Sequence, residues 1–328
     1  MLVDRYNRSI TYLRISITEH CNLRCVYCTP QDSSNSKQTS NHLTPDEFVM
    51  VSSVLAKNGL KYIRLTGGEP LVHPNIIEIV EKLAALPNIE EVSLTTNAML
   101  LEKLAEPLAK AGLKRVNISL DTLDAEKFKK ITRGGLIEKV WKGIEAANKV
   151  GLSPIKINTV VVNGMNDSEL QAIARLTIDW DIHVRFIELM PVGNAHSWGE
   201  GFPTGSSRYL SVQQMQKILK PLNMQPNVAP VGNGPSKTYK IPGANGTVGF
   251  ISPVGQHFCE QCNRLRLTAD GMLRPCLLMD EEHDVMKAIR QKEDLFPIIQ
   301  KALAGKSKSH ELELNNLPES RRMAQIGG

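Results

Sequence analysis

The six cysteines of this 328-residue chain fall into two groups of three, Cys21-x3-Cys25-x2-Cys28 near the start and Cys259-x2-Cys262-x13-Cys276 near the end. Three thiolates within one short loop can bind three irons of a cubane [4Fe-4S] cluster, which leaves the fourth iron open to a small molecule. Two such triads imply two open irons. Two other chemistries use the same residues: disulfides, which belong to oxidising compartments, and structural zinc, which prefers four protein ligands. His257, two residues before Cys259, is the side chain that would complete a zinc shell; otherwise it is a surface or capping histidine. Spacing alone leaves these readings open.

Composition narrows the setting. Lys and Arg number 39 against 34 Asp and Glu, a formal charge of +5. The basic residues are spread along the chain, so bulk nucleic-acid binding is not implied. The first residues, Met1 to Ser9, contain no apolar core of a signal peptide, and no stretch approaches about 18 uninterrupted apolar residues. A cytoplasmic protein with no membrane partner is therefore expected. The chain is long enough for a large core and more than one unit.

The elements that must position the cysteines follow a rhythm. Over the first 190 or so residues, short β-branched runs alternate with helical patterns. The expected strands are Tyr12 to Ile17, Tyr62 to Leu65, Glu91 to Thr95, Arg115 to Leu120, Ile155 to Val162 and His183 to Leu189. Thr44-Pro45-Asp46-Glu47 opens a helix that closes near Asn58-Gly59, and another runs from Leu101 to Ala111. Six βα units in series argue for a parallel sheet with helices outside, closed or partly closed as a barrel, with its chemistry at the C-terminal strand ends. The first triad, Gly67-Gly68-Glu69-Pro70, Thr95-Thr96-Asn97, Ser119-Leu120-Asp121 and Met190-Pro191 all fall there. Beyond about residue 193 the alternation stops. A helix from Val212 to Leu222, short strands at Thr238 to Ile241, Val248 to Ile251 and Arg264 to Thr268, and helices near Asp284 to Gln291 and Leu295 to Ala304 are expected in a region that packs across the barrel. Residues from about Ser307 read as a mobile tail, and no repeat of about 20 to 50 residues is found.

CxxxCxxC with Tyr27 before its last cysteine resembles the radical S-adenosylmethionine superfamily. Gly67-Gly68-Glu69-Pro70, Asn117-Ile118-Ser119-Leu120-Asp121, Met190-Pro191-Val192-Gly193, the second triad with Cys262-Asn263-Arg264-Leu265-Arg266-Leu267, and the terminal Gly327-Gly328 make the whole chain similar to the GTP 3′,8-cyclase family of molybdenum cofactor biosynthesis. The resemblance implies an α/β fold, a partial (β/α)6 TIM-like barrel over residues 1–192. A C-terminal region, 193–306, would carry a second [4Fe-4S] cluster over the barrel, and 307–328 would be a flexible tail.

It also implies roles. The cluster on Cys21, Cys25 and Cys28 would chelate S-adenosylmethionine and generate a 5′-deoxyadenosyl radical, with the protein supplying binding and orientation. Tyr27, Gly68, Ser119 and Met190 match positions that contact this cofactor, Gly68 because any Cβ would intrude. Without the family, Tyr27 reads as packing, Ser119 as a strand-end hydroxyl and Met190 as core. The cluster on Cys259, Cys262 and Cys276 would ligate the guanine of GTP.

The triphosphate needs cations, and the chain has no GxxxxGK[ST] loop. Alternation along the strands turns Arg14, Arg64, Lys156 and Arg185 inward, where each needs an anionic ligand or an ion pair to Glu69 or Glu188. In the family, Arg14, Arg64, Thr95, Lys156, Arg185, Arg264 and Arg266 match GTP-associated positions. Gly327 and Gly328 match a tail that reaches the active site. Tyr62 stands where a basic residue is expected, Ala98 where the pattern has Gly, and the segment 29–44 is short. His20 and His73 read as second-tier or surface residues, and Trp141, Trp180 and Trp198 as packing.

The function so implied is radical cyclisation of GTP, the first step towards molybdopterin. Its partners would be a low-potential electron donor of flavodoxin or ferredoxin type, a downstream cyclic pyranopterin monophosphate synthase, and a second copy of the chain. The alternatives are a two-cluster radical enzyme acting on a peptide, a ferredoxin-like electron carrier and a zinc-stabilised binding module. The carrier reading leaves the Gly-Gly-Glu-Pro turn and the inward arginines without a task.

Overall fold

Each of the six β-branched runs forms a strand, and each lies parallel to the next in the computed structural model: β1 (Tyr12–Ser16), β2 (Tyr62–Thr66), β3 (Glu91–Thr96), β4 (Arg115–Ser119), β5 (Ile155–Val161) and β6 (Ile182–Glu188). The structure describes residues 1–29, 41–191, 198–228, 234–310 and 321–327. The crossovers are α1 (Pro45–Lys57), α2 (Ile76–Ala84), α3 (Leu101–Lys110), the pair α4 (Ala125–Thr132) and α5 (Ile137–Lys149), and α6 (Leu170–Asp179). Local signals start them where the sequence says. Thr44 and Glu47 form a reciprocal capping box and Pro45 occupies the first turn, where its missing N–H costs nothing.

The later chain returns to the same sheet. After α7 (Val212–Ile218) come β7 (Gln225–Pro226), β8 (Lys237–Lys240) and β9 (Thr247–Ile251), and then β10 (Arg264–Leu267), β11 (Met272–Arg274) and β12 (His283–Asp284). Strand β9 pairs parallel with β6, and β10 pairs parallel with β1. One 12-stranded sheet results, open between β7 and β12. The helix expected from Val212 to Leu222 ends early, because Pro221 cannot donate to the ladder; Lys220–Leu222 continue as a 3-10 turn. Helices α8 (Val285–Gln291) and α9 (Phe296–Ala304) follow, and α10 (Met323–Ile326) is a last single turn.

Parallel strands covered on their outer face bury alternate residues under the helices. Leu13, Ile15, Ile63, Leu65, Val92, Leu94, Val116, Ile118, Ile157 and Val184 join the helices in one apolar core. The alternate set faces the lumen, and register aligns it across strands. Arg266, Arg14, Arg64 and Ser93 are successive partners across β10, β1, β2 and β3, and Ser119, Asn158 and Arg185 are partners across β4, β5 and β6. No helix among the described residues is long and apolar enough to cross a membrane.

Candidate functional site

The first triad sits on the loop after β1, and the turn after β2 holds that loop from below. Gly68 N donates to Thr18 O at 2.8 Å and Glu69 N to His20 O at 2.7 Å. A Cβ on Gly68 would lie 2.3 Å from His20 O. The glycine expected to admit a ligand therefore admits the chain's own cysteine loop. From the side, Arg24 N and Val26 N donate to Thr132 O and Ile131 O at the end of α4, at 3.1 and 3.0 Å. Glu69 is buried, which pushes its carboxyl up to about 7, against the pull of Asn97 N at 2.6 Å, Thr96 Oγ1 at 2.7 Å and Leu71 N at 3.0 Å.

Cys21, Cys25 and Cys28 share the wall of one cavity with Tyr27, Gly68, Thr95, Ser119, Asp121 and Met190. The Tyr27 hydroxyl donates to Asp121, whose burial raises its carboxyl to about 6. Burial drives the Cys21 thiol to about 11 and Cys28 to about 12, and Cys25 well above its ordinary value. Three neighbouring thiols that each resist ionisation form a donor set that positive charge would favour, and iron would supply it. Leu23 N at 3.3 Å and Asn97 Nδ2 at 3.8 Å point at Cys21 Sγ, as a thiolate ligand requires.

A second cavity adjoins the first across Asn158, Ile187 and Met190, which line both. Its wall contains Cys259, Cys262 and Cys276 together with Arg14, Arg64, Arg185, Arg264 and Arg266. Here the thiols meet cations. Burial would raise Cys262, but Lys306 and Arg264 bring it below its ordinary value; Lys306 Nζ lies 3.8 Å from its sulfur and donates to Pro275 O at 2.7 Å. Burial raises Cys259. Arg8 Nη1 donates to Cys259 O at 2.7 Å. Neither Lys306 nor Arg8 carries a local sequence signal, since each reaches its triad from a remote segment. Asp121 was visible inside a quoted motif but without a task.

The arginines are strained by one another. Burial and then Arg266 hold Arg14 well below its ordinary value, burial and then Arg64 lower Arg185 to about 9, and Arg266 falls to about 10, chiefly through burial. The expected alternative, ion pairs to Glu69 or Glu188, finds its acceptors occupied: Glu188 takes Val212 N, Ser252 Oγ, Val254 N and Gly255 N between 2.9 and 3.2 Å. Arg64 meets the Ser93 hydroxyl and Arg185 the Asn117 side-chain oxygen, both neutral. Arg185 Nε, Thr95 Oγ1 and Asn158 Oδ1 are buried without a hydrogen-bond partner. The orphaned Arg185 Nε among mutually repelling cations suits an anion.

Two residues expected to contact GTP do not line the arginine cavity. Thr95 lines the cysteine cavity of the first triad. Lys156 is 4% exposed and lies between Asn117 and His183 in register, on neither cavity wall. Burial and then Arg115, Arg185 and Arg64 hold its amine at about 6. His257 is exposed with its ring 5.1 Å from that of His310, and His20 is exposed 6.4 Å from His42. Trp198 packs edge-on to Tyr27, and Trp141 lies against Trp180.

The described parts of the tail are tied down. Arg8 Nη2 donates to Ser307 O at 2.7 Å, and Ile326 is 1% exposed. Met323 and Ala324 line the first cavity, and Arg266 Nη1 donates to Ile326 O at 3.1 Å and to Gly327 O. Gly327 has φ +66, and a Cβ there would lie 2.2 Å from Thr66 Cγ2, so it needs glycine twice over. Gly328 lies outside the described residues.

Comparison with known proteins agrees with this arrangement. A model of the radical SAM superfamily matches residues 15–177, and a model named Molybdenum Cofactor Synthesis C matches 182–312. The GTP 3′,8-cyclase of Listeria monocytogenes serovar 1/2a is 46% identical over 100% of this chain and 99% of its own length. Those of Pelotomaculum thermopropionicum and Petrotoga mobilis are 45% and 43% identical, covering 99% and 100% of this chain and 99% and 100% of their own. Among solved structures, Streptococcus suis SuiB bound to S-adenosylmethionine superposes with TM-score 0.61 at 16% identity, over 85% of this chain and 64% of that one. Histidine-tagged anSMEcpe with bound AdoMet gives 0.54 at 18%, over 91% and 88%. These two show the fold. Identity along the full length shows the rest: the chain belongs to the GTP 3′,8-cyclase family of radical SAM enzymes.

Proposed function

We propose that the protein cyclises GTP to (8S)-3′,8-cyclo-7,8-dihydroguanosine 5′-triphosphate, the first step of molybdopterin biosynthesis. The carrying observation is the arginine cavity lined by one cysteine triad and opening beside the other. Membership of the superfamily implies S-adenosylmethionine and one [4Fe-4S] cluster, which Cys21, Cys25 and Cys28 would hold. Bound there with one electron from an external donor, the pair would supply the radical chemistry that hydrogen removal from C3′ of the ribose and bonding of C3′ to C8 require.

The chain's own residues bind and orient. Tyr27, Gly68, Ser119 and Met190 would border S-adenosylmethionine, with Gly68 acting through the cysteine loop that it lets approach. Arg14, Arg64, Arg185, Arg264 and Arg266 would neutralise the triphosphate, Thr95 would sit where the two ligands meet, and Lys156 would add charge from the inward face of β5 that it shares with Asn158. A second [4Fe-4S] cluster on Cys259, Cys262 and Cys276 would fix the guanine, and Gly327-Gly328 would border the reacting nucleotide. We assign 1–192 to the radical SAM unit, 193–306 to the region bearing the second cluster and 307–328 to the tail. The partners would be a flavodoxin- or ferredoxin-type donor, a second copy of the chain and a downstream cyclic pyranopterin monophosphate synthase, all in the cytoplasm.

Replacing Cys259, Cys262 and Cys276 together by alanine tests the division of labour. Formation of the cyclised nucleotide should vanish while uncoupled cleavage of S-adenosylmethionine persists. Complete loss of cleavage in a variant whose first cluster is spectroscopically intact would end the assignment of substrate binding to the second triad.

A further inference from the structure

The last described turn of the chain is fastened by charged groups that neither cavity uses. Arg321, two residues before α10, reaches two carboxylates. Its Nε and Nη2 donate to Glu282 at 2.7 and 2.9 Å, and its Nη1 and Nη2 lie 3.0 and 2.8 Å from Asp270. Both carboxylates belong to the second-triad region: Asp270 lies in the turn between β10 and β11, and Glu282 stands at the end of the segment that leaves Cys276. Each is itself held, Asp270 by the Thr268 hydroxyl and Glu282 by the fully buried Arg274. Side-chain exposures of 13% for Arg321, 22% for Asp270 and 19% for Glu282 set this cluster apart from solvent-facing bridges, which contribute little.

Beyond Arg321 the turn has few other anchors. Met323 and Ile326, three residues apart and so on one face, pack against Leu278 and Met190. Gln325 Nε2 donates to Glu19 at 3.1 Å, and the Ser16 hydroxyl is 3.5 Å from Ala324 O. These are short-range contacts. Among the described residues, the guanidinium ties the start of the turn to the region that follows β10, and Arg266 of β10 meets the backbone at its end.

We propose that Arg321 is a positioning residue. Its bridges to Asp270 and Glu282 latch α10 at the distance and angle that bring the Gly327 carbonyl to Arg266, and they couple the segment after Cys276 to the tail. The proposal rests on the reading that the tail takes part in turnover, so its test reads the latch and the turnover separately.

Full-length, anaerobically reconstituted protein would carry Arg321→Gln or, independently, Asp270→Asn, with Arg321→Lys as the conservative change. Amide hydrogen exchange over residues 321–328 reads the latch directly. Exchange of the Gly327 amide, which donates to Met323 O at 3.0 Å, should be at least about tenfold faster in Arg321→Gln, less so in Asp270→Asn, and partly restored by Arg321→Lys. On the same preparations kcat for the cyclised product should fall at least about tenfold in Arg321→Gln while KM for GTP stays within about threefold. Unchanged exchange in Arg321→Gln would overturn the latch. Faster exchange with full turnover would uphold the latch and remove the tail from the reaction instead.

Discussion

Alanine at Gly68 tests whether the Gly-Gly-Glu-Pro turn acts by shaping the cysteine loop. An added Cβ would lie 2.3 Å from His20 O, 2.6 Å from His20 C and 2.7 Å from Glu19 O. All three are backbone atoms and cannot rotate away. Restoring an ordinary contact of 3.4 Å means that the His20 carbonyl retreats by 1.1 Å, and Cys21, the next residue, moves with it. The bond from Glu69 N to His20 O, 2.7 Å long, would not survive that shift. Overpacking costs about 1–3 kcal/mol and the lost hydrogen bond about 1 kcal/mol, so the folded state should lose about 2–4 kcal/mol. Function should lose a comparable amount, because a displacement of about 1 Å at a reacting centre costs about a hundredfold, equivalent to about 2.7 kcal/mol. Three measurements check this: urea unfolding, iron bound per chain under anaerobic conditions, and the rate of S-adenosylmethionine cleavage. Cleavage should fall about a hundredfold while iron held by the second triad is unchanged. A Gly68→Ala protein that cleaves at the unmutated rate, with stability within about 0.5 kcal/mol, would refute the steric argument.

Lys156, held at about 6 by burial and then by Arg115, Arg185 and Arg64, should be neutral near pH 8. A triphosphate favours its charged form and raises that value, so GTP binding at pH 8 should take up as much as about one proton, and affinity should weaken as pH rises from about 7 to 9. Calorimetry in buffers of differing ionisation heat reads the uptake, which Lys156→Met should remove; identical heats after correction would count against it. The same depressed value means that the unfolded chain binds the extra proton between about pH 10.4 and 6, so this group lowers stability as pH falls through that window and costs nothing above it. Ala98 has φ +61 and is fully buried. The left-handed conformation costs about 1–2 kcal/mol, but Ala98→Gly would forfeit about 0.8 kcal/mol of methyl burial and add about 0.5–1 kcal/mol of chain entropy. Denaturant unfolding should find that change neutral within about 0.5 kcal/mol and Ala98→Val destabilising by about 3 kcal/mol, since a β-branched residue is strained at this φ and the Ala98 methyl is fully buried against the Gly143 backbone, where a Cβ would sit 3.3 Å from it.

Most of the frame was legible because its signals are local. Strands β1 to β6 alternate or run apolar under covering helices, and α1 carries its cap, first-turn proline and terminal asparagine within one stretch of chain. Strands β7, β11 and β12 are two or three residues long, too short for any period to register, and they exist because longer strands offer them an edge. The site divides in the same way. Tyr27, Gly68 and both triads were visible as motifs, and the inward set Arg14, Arg64 and Arg185 followed from a period of two. The partition of these residues between cavities was not visible, because it depends on which strands become neighbours. Thr95 lines the first cavity, and Lys156 lines neither.

Strand pairing is also what makes the arginine cavity. Arg266 is a buried cation in β10, a strand that alternates arginine with leucine, and Arg14 is a half-buried cation in β1. Parallel pairing puts them side by side in register, with Arg64 next, at a cost that local propensity gives no reason to accept. The sheet itself enforces it: Leu265 and Leu267 must face the helices, and a slip of one residue would turn both leucines into the lumen and both arginines into the core. The repulsion is thus fixed by apolar burial on the opposite face. On the proposed function, a triphosphate in that cavity would meet cations whose crowding the fold already imposes, and its charge would relieve them.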